Sequence, residues 1–222
     1  MLLNVMAEKI TRATIRRCIR FVNENPRSVI DIGYLPDKIY EQVCVITVRK
    51  NYRVFPYVRK QSEAVCIAAV RKNGLMLKHV VNPSRKVIWD AVKQDSRALE
   101  YVEDQTESLC LLAVRKYGKT VKYVKNQNEF ISLASIKQDS NALMFVKDQT
   151  DQLCLMAVKD NRMALKHVRD QTSKFCFEVV NSCQDSVKRD QLLQMIKDEE
   201  MRYQIKQCLE NKRFLKTKTA RR

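Results

Sequence analysis

Three glycines, four prolines, two histidines and one tryptophan are spread over 222 residues. With so few glycines there is no Gly-rich phosphate loop, and neither Gly-x-Ser-x-Gly nor His-Glu-x-x-His occurs. No Cys-x-x-Cys pair is present, and only His79 and His167 could add imidazoles, so no metal site is expected. The longest apolar runs are short, such as residues 64–70, so no membrane span is expected. Residues 1–9 lack a basic stretch followed by a long apolar one, so no secretory signal is expected and the chain should stay inside a cell. Acidic pairs such as Glu103-Asp104 and Glu199-Glu200 fall where solvated charge is the default. With no convergent polar set in view, no catalytic residue and no cofactor are expected, and the chain does not read as an enzyme.

What the chain does have is repetition. Val48, Val70, Val92, Val114, Ile136, Val158 and Val180 stand 22 residues apart, and Val58, Val80, Val102, Val124, Val146 and Val168 form a second column with the same period. Self-similarity at such a period marks stacked supersecondary units, each lending its neighbour the apolar cover it lacks. The fold class expected is all-α, a right-handed-type α-solenoid of about 22-residue helix-turn-helix repeats with capping helices at both ends. Three segments follow: N-terminal capping helices over 1–39, the array over 40–183 (about six repeats plus a degenerate seventh), and C-terminal capping helices with a basic tail over 184–222.

Within one repeat the residue types assign the parts. Ser62, Ser84, Thr106, Asn128, Thr150 and Thr172 open successive repeats and suit an N-cap, with Glu63, Glu107, Glu129 and Asp151 next to them at the positive end of the helix dipole. Val65, Cys66, Ala69 and Val70 give a first helix its apolar stripe, and Ala69, Ala91, Ala113, Ser135 and Ala157 mark close approach. Polar turns at 72–74, 94–96, 116–118 and 138–140 end that helix, with Gly and Asn suited to left-handed backbone. A second helix of seven or eight residues follows, too short to persist alone. Turn chemistry alternates between Gly and Ser, so a 44-residue super-period is expected. An amphipathic helix over 7–22 precedes the array, residues 26–39 break its register, and the tail from Lys212 is expected to be mobile.

Cys44, Cys66, Cys110, Cys154 and Cys176 share one column with Ile88 and Ser132, so cysteine serves there as a small buried hydrophobe. The net charge of +17 is concentrated at the ends: residues 1–60 hold twelve basic against five acidic side chains, residues 210–222 six against one, and the 149 between them 24 against 19. A near-balanced middle weakens an electrostatic glove for phosphate.

The stretches Leu-Cys-Leu-Leu-Ala-Val-Arg-Lys-Tyr-Gly (109–118) and Ala-Leu-Glu-Tyr-Val-Glu-Asp-Gln-Thr (98–106) resemble the short two-helix repeats of unknown function found in many copies in giant viruses of the mimivirus type. The resemblance covers about residues 40–180 and rests on apolar packing positions. It implies a helical-repeat architecture and an infected-cell or virion setting, and brings no site residues with it.

The sharpest candidate site is a cation ladder: Arg49, Arg71, Lys93, Arg115, Lys137 and Lys159 each follow the core Val or Ile. Stacked at about 8–10 Å, such a column would suit a phosphate backbone or an acidic partner. A local role is enough to explain it, since a cation at a helix C-terminus gains roughly 0.3–1 kcal/mol from the dipole. Tyr57, His79, Tyr101, Tyr123, Phe145 and His167 form an aromatic column that reads as packing with polar tips at the rim, rather than as a base-stacking platform. The function expected is noncatalytic binding of another macromolecule, a protein first. The alternative is nucleic-acid binding or packaging through the ladder and the basic ends.

Overall fold

The computed structural model describes residues 12–219, with side chains to residue 211. Among these the chain is all-helical. Ten α-helices occur: α1 (Arg12–Glu24), α2 (Asp37–Lys50), α3 (Glu63–Lys72), α4 (Arg85–Gln94), α5 (Glu107–Lys116), α6 (Glu129–Gln138), α7 (Asp151–Asp160), α8 (Ser173–Ser182), α9 (Ser186–Gln194) and α10 (Glu199–Thr219). Between them lie seven 3₁₀ helices: Pro26–Val29, Tyr52–Tyr57, Gly74–His79, Ser96–Tyr101, Gly118–Tyr123, Ser140–Phe145 and Arg162–His167. The chain forms two compact halves that divide between Leu112 and Ala113, within α5.

The second helix of each repeat is therefore not α-helical but a six-residue 3₁₀ helix, which corrects the expected seven or eight residues. Length explains the choice. A ten-residue α-helix rises about 15 Å, and six residues at the 3₁₀ rise of about 2.0 Å cover about 12 Å, so the two limbs nearly match. Eclipsed side chains every three residues then put Gly74, Leu77 and Val80 on one line, and Ser140, Leu143 and Val146 likewise.

A single residue joins the two limbs. Asn51, Asn73, Asp95, Asp139 and Asn161 lie in extended backbone, and each side chain accepts from the amide two residues on. Tyr117 lacks such a group; there the Thr120 hydroxyl donates back to the Tyr117 carbonyl at 2.7 Å. Left-handed backbone is absent from these turns. No described glycine has positive φ, and Asn82 is the one other described residue that does.

In the first half α1 packs on α2, α2 on α3 and α3 on α4, while Pro26–Val29, Tyr52–Tyr57, Gly74–His79 and Ser96–Tyr101 pack in the same succession. In the second half α6, α7 and α8 form one row and the 3₁₀ helices from Gly118 to His167 the other. The core lies between the rows. Val48, Val70, Val92, Ile136, Val158 and Val180 are buried, and Ala69, Ala91, Ser135 and Ala157 are fully so. Buried Ser135 is satisfied by donating to the Ser132 carbonyl at 2.8 Å.

The ends differ from expectation. The amphipathic helix spans Arg12–Glu24, residues 7–11 of the expected range lying outside the described residues. The register break after it holds a 3₁₀ helix capped by Asn25, whose side chain accepts from Arg27 as Asn51 does from Arg53. This is the same joint with a longer loop after it. Helix α2 begins at Asp37, three residues before Tyr40, behind Pro36. At the other end α9 replaces a 3₁₀ limb, and α10 continues to Thr219, through most of the tail expected to be mobile.

Candidate functional site

The six ladder cations sit in the last turn of their α-helices, and all are exposed. Arg71 Nε pairs with Asp90 on α4 at 2.8 Å. The first half carries Arg49, Arg71 and Lys93, and the second Arg115, Lys137 and Lys159. Lys159 also borders a cavity of about 300 Å³ with Arg162, Glu178 and Cys183. Arg162 Nε is buried there without a hydrogen-bond partner.

A second set of cations, missed by sequence reading, is exposed but engaged by backbone carbonyls of the fold. Lys147 Nζ donates to the Lys125 carbonyl at 2.8 Å, Arg169 to the carbonyls of Lys147 (2.7 Å) and Val146, and Lys197 Nζ to the Val168 carbonyl at 2.7 Å. Each reaches back to the strand-like exit of the preceding 3₁₀ limb, where carbonyls lack helical partners. The repeat spacing of 22 between Lys125, Lys147 and Arg169 was the available signal.

The other missed device is a glutamine column. Gln149 Nε2 donates to the Leu143 carbonyl of its own repeat at 2.9 Å and to the His167 carbonyl of the next at 3.1 Å, while Oε1 accepts from the Arg169 amide at 2.9 Å. Gln127 repeats this on Val121, Phe145 and Lys147, and Gln171 on Leu165, Met195 and Lys197. Gln61 bridges to the His79 carbonyl and the Val81 amide. A carboxamide suits the place because it donates and accepts at once.

Of the aromatic column, Tyr101 is exposed and Tyr57, His79, Tyr123, Phe145 and His167 are half-buried, so it lines the rim rather than the core. Lys122 Nζ lies 4.6 Å from the Tyr123 ring centroid and 5.8 Å from that of Phe145, and the Arg27 guanidinium 5.7 Å from Tyr57. Burial lowers the pKa of both histidines, with Lys78 and Lys166 acting in the same direction.

The five column cysteines are buried and unpaired by disulfide. Burial pushes the thiols of Cys44, Cys66, Cys154 and Cys176 up to about 11, and that of Cys110 in the same direction. Thiols so protonated at neutral pH are poor nucleophiles. Among the described residues no group of three His, Cys, Asp or Glu side chains gathers to hold a metal. No helix among them is long and apolar enough to cross a membrane. No protein-family model, curated protein or solved structure matches the chain.

Proposed function

We propose that this chain is a noncatalytic helical-repeat scaffold that binds a protein along its repeat surface. One observation carries the reading: an aromatic or imidazole rim, half-buried except at exposed Tyr101, and an exposed helix-end cation recur with the repeat. Amphipathic rings along this rim, with Lys122 facing Tyr123 and Phe145 and Arg27 facing Tyr57, make area that a protein partner can cover without large loss of side-chain freedom. We take the array to be a right-handed α-solenoid; the 22-residue columns, which run from Val48 to Val180 without insertion, support the stacked-repeat part of that reading. The likeness to giant-virus repeats supports an intracellular setting, in host cytoplasm or virion.

Nucleic-acid binding is the second reading, and the exposure of all six ladder cations favours it. Against it stand the cations at 147, 169 and 197, which already serve carbonyls. The test is affinity capture from a cell extract at 150 mM salt, with and without nuclease. Protein captured in both arms supports the scaffold. Recovery of RNA or DNA alone, with binding that falls steeply with salt, replaces it with the second reading.

A further inference from the structure

The glutamine column has one gap. Pro83 stands where Gln61, Gln105, Gln127, Gln149 and Gln171 close the other repeats. A proline has neither the donor nor the acceptor for the bridge. The groups equivalent to those held by Gln149 are the carbonyls of Leu77 and Tyr101. The Leu77 carbonyl accepts from the Val80 amide, as Leu143 does from Val146, but has no carboxamide beside it. The Tyr101 carbonyl receives no hydrogen bond among the described residues, whereas Phe145 and His167 each receive one from a glutamine.

At this place the first half contains a cavity of about 410 Å³, bordered by Leu77, Val80, Pro83, Ile88 and Tyr101. Val80 is the one valine of its column that is not buried; Val58, Val102, Val124, Val146 and Val168 all are. The chain is also turned differently here, with Asn82 at φ 47° directly before Pro83. Asparagine tolerates that left-handed region better than most residues. The gap is thus open in space as well as in sequence.

We propose that this cavity binds a primary carboxamide, carried as a glutamine side chain on a polypeptide partner. Three other repeats supply the template for the ligand: the group that fills the equivalent space there is the carboxamide of Gln127, Gln149 or Gln171 on two carbonyls. A bound glutamine would donate its NH₂ to the Tyr101 and Leu77 carbonyls and lay its methylenes on Val80. A glutamate would set an acceptor against acceptors. The site rests on the reading of the chain as a partner-binding scaffold and names the chemistry of that partner.

The test is amide chemical-shift mapping of the full chain with N-acetyl-glutamine N-methylamide, the matching glutamate derivative, free L-glutamine and acetyl-Val-Lys-Asp-Gln-Thr-amide. Expected are saturable shifts at Leu77, Val80, Tyr101 and Val102 for the blocked glutamine and the peptide, on the order of millimolar for the small probe. The glutamate derivative should bind at least about tenfold more weakly. Pro83→Gln, which rebuilds the bridge, should abolish the response. Equal binding of the glutamate derivative, unmoved amides at these positions, or an unchanged response in Pro83→Gln overturns the site. Free L-glutamine binding as tightly as the peptide overturns the polypeptide source. If protein is captured equally by the natural chain and by Pro83→Gln while no probe binds, the site fails and the scaffold stands; probe binding with no protein captured removes the scaffold.

Discussion

The backbone amide of Gly74 donates to Gln94 Oε1 at 2.6 Å, and a Cβ added at Gly74 would stand 2.4 Å from the Ala91 carbonyl oxygen. Gly118 repeats both relations, donating to Gln138 Oε1 at 2.5 Å with a Cβ position 2.5 Å from the Ser135 carbonyl. In the repeat between Gly118 and Arg162, Ser140 takes this place and its hydroxyl donates to Asp160. The glycine half of the 44-residue beat is thus paired chemistry, a bare amide facing a long glutamine; of the serine repeats, Ser140 faces a shorter aspartate, whereas Lys116 stands at the equivalent position for Ser96.

Gly74→Ala should therefore destabilise the fold by about 2 kcal/mol, the usual cost of an overpacked contact that backbone must relieve. Gly33→Ala is the control, since its nearest neighbour, the Ile30 carbonyl, would be 3.2 Å away. Urea denaturation of both variants measures the difference. Equal midpoints for the two would mean that the α4 terminus yields freely to the extra carbon.

The glycine result also shows what the sequence made legible. The 22-residue columns identified the buried residues and the caps: Ser62, Ser84, Asn128, Thr150 and Thr172 all accept from the amide three residues on. Gly74 and Gly118 were legible as special, but for the wrong reason, because left-handed φ and close approach demand the same residue type. The 3₁₀ limb was hidden because Leu77 and Val80, three apart, fit either helix over so short a stretch. Gln149 and Gln171 were in plain view in Asp-Gln-Thr, and Gln127 in Asn-Gln-Asn, yet their value depends on distant carbonyls, for Gln149 those 6 residues back and 18 ahead, which no local pattern reveals.

Gln149→Glu tests the bridge with almost no change of shape. The carboxylate loses both donors and faces the Leu143 and His167 carbonyls, while it still can accept from Arg169. A loss of about 3 kcal/mol is expected from two broken hydrogen bonds and repulsion at the carbonyls. Gln152→Glu, on the exposed face of α7, should leave the urea midpoint nearly unchanged. Comparable shifts in the two variants would remove the bridge as a source of stability.

The buried thiols set an alkaline limit. Cys44, Cys66, Cys154 and Cys176 hold their protons to about 11 in the fold, because burial penalises the thiolate, against an ordinary value of 9.0. The folded state then binds more protons than the unfolded one between those values, so this contribution to stability is complete below pH 9 and is lost as pH rises towards 11. Iodoacetamide at pH 8 should label exposed Cys208 first and half-buried Cys183 next, with the six buried cysteines reached only on unfolding. Rapid labelling of Cys66 in the native chain would contradict the packing of its column.

The histidines set the opposite limit. Burial, and then the charge of Lys78 or Lys166 beside them, hold the pKa of His79 and His167 below 6.5 in the fold. The unfolded chain therefore binds protons first on acidification, so the contribution of these rings is complete above pH 6.5 and declines as pH falls through their folded values. Both Cε1–H resonances should titrate with midpoints below that of a histidine in a short peptide, and His79→Phe, which mimics Phe145 at the same register, should flatten the acid side of the stability profile. A midpoint at or above 6.5 for His79 would place its ring in water rather than against the rim between two 3₁₀ limbs, and with it the partner surface we assign to that column would lose its apolar half.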